Sequence, residues 1–167
     1  MFSKPAPITI AHDVKRFDCG NAALNEFLVK YAVANAAAGL ARTFVTTIQD
    51  QPTVIGYFSI AAGSVERETA PERVAKGTPK HAIPAVLLAR LAVDLNYQGQ
   101  KVGSALLKEA LLKTLEASSI IGVRAVLVHA KNQPAADFYA KYGFVPSPVD
   151  SFHMMLILKD IAKIAGA

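Results

Sequence analysis

The sequence predicts an α/β (α+β) fold, a mixed central sheet with helices on its faces. Short runs rich in β-branched residues alternate with longer runs of helical period. Residues 85–95 read Ala-Val-Leu-Leu-Ala-Arg-Leu-Ala-Val-Asp-Leu, the near-continuous apolar pattern of a strand buried on both faces. Residues 102–117 set Leu106, Ala110 and Leu111 on one helical face, extended by Leu107 and Leu115.

Each element has its own signal. The N-terminal stretch, with Pro5 and Pro7, leads into a strand at 8–10. Residues 21–38 form a helix capped by Asn21 and stopped by Gly39, with Leu24, Phe27, Leu28 and Tyr31 on its apolar face. Strands at 42–48 and 54–62 flank a turn at 50–52, giving a hairpin. Residues 71–84 hold Pro71, Pro79 and Pro84 with Arg73, Lys76 and Lys80. They read as a surface loop, or as a basic flap facing substrate. After the 85–95 strand and the 102–117 helix come a buried strand at 123–130 and a helix at 132–142 closed by Gly143. A strand beginning at Phe144 and a last one at 152–158 complete the order.

At 167 residues the chain fits one domain, 1–167, with a substantial core. Hydrophobic residues make up 52% and charged residues 19%, a globular balance rather than a disordered one. No apolar run approaches the roughly eighteen residues of a membrane span, and the N-terminus is not a signal peptide. The only cysteine, Cys19, excludes an intramolecular disulfide and reads as a small buried packing residue. A reducing cytoplasm is the simplest compartment. The net charge of +5 favours anionic partners such as nucleotides or nucleic acid, and equally serves solubility.

Two stretches carry chemistry. Gln98, Gly99, Gln100, Lys101, Val102, Gly103 and Ser104 lie between the buried strand and a helix. Such a turn presents unsatisfied helix N–H groups and the positive dipole end, which suits a phosphate. Gly99 and Gly103 permit close approach, and Lys101 adds a charge. The turn is neither a P-loop nor a dinucleotide fingerprint, since the required Gly-Lys-Ser/Thr and third glycine are absent. In the second stretch, Asn132, Ala135, Phe138, Tyr139, Gly143 and Phe144 mark a short helix and the strand after it. Tyr139 is either a core aromatic or a hydroxyl donor.

In this order and context, the two stretches resemble the GNAT superfamily of acetyl-CoA-dependent N-acetyltransferases. The family's pyrophosphate loop is commonly Gln/Arg-x-x-Gly-x-Gly/Ala. Gln98 and Gly103 match its first and last positions, whereas Lys101 stands where glycine is usual. Asn132, Ala135, Phe138, Tyr139, Gly143 and Phe144 match the second pattern throughout. The resemblance implies a sheet of six to seven strands with about four helices. It implies that acetyl-CoA is held by 98–104 together with Leu91, Ala92, Val93, Asn132, Ala135 and Phe138, with no metal. It also implies that Tyr139 protonates the departing thiolate. A narrower group, the GNAT toxins of bacterial toxin–antitoxin pairs, is similar at 17–20, 23–28, 56–58, 88–94, 98–100 and 128–130. That group implies acetylation of aminoacyl-tRNA, a ribbon-helix-helix antitoxin and a homodimer.

The buried strand 85–93 carries no carboxylate to act as base, which leaves Asp94 and His129 as candidates. A lysine amine, with pKa about 10.4, needs a base at neutral pH. An α-amine near 7.7–8.0 needs much less help, so an α-amino acceptor suits this chain. The alternatives are a small-molecule amine or a protein N-terminus, with Glu66, Glu68 and Glu72 as the acidic cluster such a cation would seek, or a non-catalytic binding or DNA-regulatory module, against which Tyr139 argues. Arg42, Lys76, Lys80 and Arg90 are candidate RNA contacts.

Overall fold

The computed structural model describes residues 1–164. Seven strands hydrogen-bond in the order β1-β2-β3-β4-β5-β7-β6. They are β1 Ala6–Pro7, β2 Arg42–Thr47, β3 Val54–Val65, β4 Ile83–Val93, β5 Ala125–His129, β6 Val145–Ser147 and β7 Asp150–Ile157. β4 and β5 pair parallel, while β1/β2, β2/β3, β5/β7 and β6/β7 are antiparallel, so the sheet is mixed as expected. The helices are α1 Ala22–Glu26, α2 Ala32–Ala37, α3 Glu72–Ala75, α4 Val102–Ser118, α5 Gln133–Lys141 and α6 Leu158–Ile164. By packing, the chain divides into two compact units, Met1–Ala61 with Ala89–Ala110, and Ala62–Leu88 with Leu111–Ala167. The final three residues of the expected 1–167 span lie outside the described residues.

In the first unit, Phe17, Cys19, Phe27, Leu28, Ala32, Val45, Val54, Tyr57 and Ala92 form a core. Tyr57 is fully buried, and its hydroxyl satisfies itself by donating to the Leu24 carbonyl at 2.8 Å. Cys19 is buried, as expected. The β2–β3 hairpin pairs Phe44 with Phe58, whose rings stack at 5.1 Å.

Two expectations in this unit need correction. The strand placed at 8–10 lies instead at Ala6–Pro7, because Thr9 and His12 close a local turn. There, the Thr9 N–H donates to His12 Nδ1 and the His12 N–H to the Thr9 carbonyl. The helix expected over 21–38 begins under the Asn21 cap and stops at Gly39 in the left-handed region, but it is not uniform. Residues Phe27–Tyr31 form a π turn, closed by the Ala32 N–H to the Phe27 carbonyl. The extra residue shifts the helical phase, so Phe27, Leu28 and Ala32 point inward and Tyr31, expected on the apolar face, is 48% exposed.

In the second unit, Val65, Ala70, Val74, Ile83, Ala85, Ala125, Leu127 and Met155 form the core. The 71–84 stretch is tied down: α3 forms within it, and the Arg124 guanidinium donates to the Val74 and Lys76 carbonyls, both at 3.0 Å. Arg73 grips Asp160 with two bonds, at 3.1 and 2.7 Å. The strand expected to run to residue 158 ends at Ile157, and α6 follows. Ile161, fully buried at the i+3 position from Leu158, makes helix the better way to hide this apolar stretch. No helix among the described residues is long and apolar enough to cross a membrane.

Candidate active site

In the first unit, the end of β4 is followed by a turn with little freedom. Ala92 is buried, and Leu91 and Val93 are half-buried. The Asp94 N–H donates to the Ile55 carbonyl at 2.8 Å. Asp94, one of the two base candidates, spends its carboxylate on structure. One oxygen accepts from the Asp18 N–H at 3.1 Å and the other caps the Leu95–Tyr97 turn through the Asn96 N–H at 2.9 Å. Gln98 then reaches back, its amide donating to the Val93 carbonyl at 2.9 Å and the Cys19 carbonyl at 3.3 Å.

The loop itself alternates hand. Gly99 has φ +79° and Lys101 φ +65°. Lys101 thus adopts the left-handed conformation that glycine takes freely, at the position where the family pattern has glycine. The departure changes the side chain and leaves a glycine-like backbone. The Lys101 carbonyl is occupied by the Ala105 N–H and the Ser104 hydroxyl, which starts α4. Gln100 donates to the Asn96 carbonyl at 3.3 Å. Val102 is buried, and Gly56 explains how α4 can seat so closely. A Cβ there would stand 2.9 Å from Leu106, 3.2 Å from Val102 and 3.3 Å from the Ala92 carbonyl. The first N–H groups of this seventeen-residue helix have no intrahelical partner and carry the positive dipole end.

In the second unit, Asn132 is the N-cap of α5: its backbone is extended and its side chain accepts from the Ala135 N–H at 2.9 Å. Gly143, with φ +93°, stops the helix. The Phe144 N–H returns to the Tyr139 carbonyl at 3.2 Å. Tyr139 is 7% exposed and ringed by Phe138 and Phe144, at 5.2 and 5.3 Å between centroids. Burial pushes its phenol up to about 12, so the hydroxyl stays protonated at any physiological pH. Tyr142 is less buried, edge-on to Phe138 and facing Lys141.

The remaining candidates separate. Arg90 lies 3.6 Å over the Phe27 ring, and Arg42 donates to the Ala36 carbonyl at 3.2 Å at the end of α2. Lys76 and Lys80 are exposed. His129 is exposed at the end of β5 and stacks on His153, a residue that sequence reasoning passed over. Only the β5–β7 register, which pairs the two, reveals it. Among the described residues no cluster of three or more His, Cys, Asp or Glu side chains could hold a metal.

Residues 41–146 match the family model described as an acetyltransferase (GNAT) domain. The chain is 41% identical over 165 residues to a tRNA-acetylating toxin of Mycobacterium tuberculosis (strain ATCC 25618 / H37Rv), covering 99% of this chain and 98% of that one. It superimposes on AtaT complexed with acetyl-methionyl-tRNAfMet with a TM-score of 0.90 at 29% identity, covering 98% and 99% of the two chains. It also matches a tyrosine-to-phenylalanine variant of AtaT bound to the C-terminus of the antitoxin AtaR and acetyl-CoA. There the TM-score is 0.83 at 26% identity, with 100% and 99% covered. The chain belongs to the GNAT acetyltransferases, in the group that holds these tRNA-acetylating toxins.

Proposed function

We propose that this acetyltransferase moves the acetyl group of acetyl-CoA onto the α-amino group of an aminoacyl-tRNA and so blocks translation. The observation that carries the reading is Tyr139, a buried, protonated phenol on a capped helix, in a chain 41% identical to a tRNA-acetylating toxin.

Acetyl-CoA supplies an activated thioester. In the first unit, Gly99, Lys101 and the N–H groups at the start of α4, which have no intrahelical partner, fit its pyrophosphate: two left-handed residues turn the backbone just ahead of the helix. Gln98, Gln100, Val102, Gly103 and Ser104 complete that loop. Leu91, Ala92 and Val93 offer main-chain donors to the thioester carbonyl. In the second unit, Asn132, Ala135 and Phe138 set the helix, and Tyr139 hands its phenolic proton to the departing thiolate. With the Asp94 carboxylate committed to backbone N–H groups and β4 free of carboxylates, no side chain is assigned as base. An α-amine near pKa 7.7–8.0 is sufficiently neutral to attack without one. The proton it sheds as the C–N bond forms and the C–S bond breaks restores, directly or through water, the one Tyr139 gives to the thiolate.

Lys76 and Lys80 are exposed and able to meet RNA phosphates. Arg42 and Arg90 join them only with the parts of their guanidinium groups left free. By analogy with the complexes above, an antitoxin is a partner. The family resemblance adds that it is of ribbon-helix-helix type and that the enzyme, a single domain, works as a homodimer in the cytoplasm. The test is incubation with labelled acetyl-CoA and aminoacyl-tRNA, free amino acids or polyamines. Label is expected on the α-amine of aminoacyl-tRNA. Label on polyamines alone would overturn the reading in favour of a small-amine enzyme.

A further inference from the structure

His129 and His153 face each other across the antiparallel β5–β7 pair. Their rings stack with centroids 4.3 Å apart and planes 20° apart. His129 is exposed and His153 half-buried. The Nε2 of His153 is sealed from solvent and has no hydrogen-bond partner among the described residues. Neither ring is assigned a role in the transfer reaction proposed above. A buried ring nitrogen left unpaired is costly, and two imidazoles at this spacing repel if both are charged.

The place of the pair gives it a consequence. β7 holds both ends of the segment that carries Tyr139. On the N-terminal side, the Ala130 N–H donates to the Phe152 carbonyl at 2.7 Å, immediately after His129 and just before the Asn132 cap. On the C-terminal side, Phe144 bonds back to Tyr139, and Val145 pairs with Met155. His153 lies between Phe152 and Met155, and so between the two attachments.

We propose that the His129–His153 stack is a proton-sensitive clamp that positions α5: it holds Tyr139 while at most one ring is charged and releases it when both are. The consequence for catalysis rests on the role given to Tyr139 above. Burial first, then the charge of His129, holds His153 below the ordinary histidine range, while Asp150 pulls the other way. The other charged groups on helices packed against β7 are Glu72 and Arg73 on α3, Asp137 and Lys141 on α5, and Lys159, Asp160 and Lys163 on α6. Arg73 and Asp160 neutralise one another, and Asp137 accepts from Gln133. Because the folded value of His153 is depressed, the stack's stability is whole above about pH 6.5 and is lost as pH falls through the lower folded value.

The test follows imidazole and tyrosine-ring NMR signals of the whole protein from pH 8 to pH 5, in wild type and His153→Phe, alongside acetyl transfer. The phenylalanine keeps the stack and removes the proton. The Tyr139 signal should move in step with His153 in the wild type and stay still in the variant. The two rates should lie within about twofold at pH 7.5, and below pH 6.5 the wild-type rate should fall progressively further than that of the variant. A Tyr139 signal indifferent to His153, identical pH profiles, or a variant slowed equally at every pH would each overturn the proposal. Should His153→Phe not fold, the NMR comparison alone is made with His129→Phe, at an exposed position, where the Tyr139 signal should again stay still as His153 titrates. The NMR comparison needs no acceptor, so it decides the clamp even if aminoacyl-tRNA is not the substrate.

Discussion

Residues 98–104 and 132–144 contribute in opposite ways. In the first, the backbone is the unusual part: Gly99 and Lys101 take left-handed conformations, and the side chains of Gln98 and Ser104 hold the turn in shape. In the second, the backbone is an ordinary capped helix that buries the Tyr139 phenol. On the roles proposed above, lysine can stand where the family pattern has glycine because it keeps the left-handed dihedral. Removing a single oxygen from Tyr139 should not be tolerated.

The sharpest way to break the comparison is Tyr139→Phe. It should lower transfer roughly 100-fold or more, the usual contribution of a placed proton donor, with thermal stability and acetyl-CoA binding unchanged. Near-normal turnover would return Tyr139 to the core aromatics. The next effect belongs to Gly56→Ala. The added methyl meets Leu106, Val102 and the Ala92 carbonyl, and should cost about 1–3 kcal/mol in an unfolding titration. It should also weaken acetyl-CoA binding, because α4 can no longer seat. Asn132→Ala removes the cap of α5 and should cost about 1 kcal/mol, with turnover falling more than cofactor affinity. The smallest effect is that of Lys101→Gly. Relief of the left-handed strain and the looser unfolded chain nearly cancel, so stability should hold. Loss of one surface charge should weaken acetyl-CoA binding by roughly threefold to fivefold, and less at high salt.

What could be read in the sequence was local. Asn21, Gly39, Asn132 and Gly143 are caps and stops whose side chains, or lack of them, act within one turn, and each stands where expected. The apolar run at 85–95 marked β4, although the strand runs from Ile83 to Val93, is only half-buried over much of 87–93, and stops before the Asp94 cap and the exposed Leu95. The π turn at Phe27–Tyr31 escaped because it answers to the whole core of the first unit, which seats Ala32 where simple periodicity puts Tyr31. Helix α6 escaped because Leu158 continues the apolar pattern of β7 without a break. The pairing of His129 with His153 rests on a strand register, which no short window of sequence contains. Of the proposed site, Tyr139 and the loop are marked in the sequence by motif spacing. The engagements of Asp94 and Arg90 were not, because their partners, Asp18 and Phe27, are more than sixty residues away in the chain.

The most direct measurement takes acetyl-CoA affinity and the saturated transfer rate to aminoacyl-tRNA side by side for Gly99→Val and Tyr139→Phe. The valine cannot hold φ +79° without strain, so that variant should lose affinity and keep most of its rate once saturated. Tyr139→Phe should do the reverse. Two variants that move both quantities alike would contradict the division of labour between backbone and phenol.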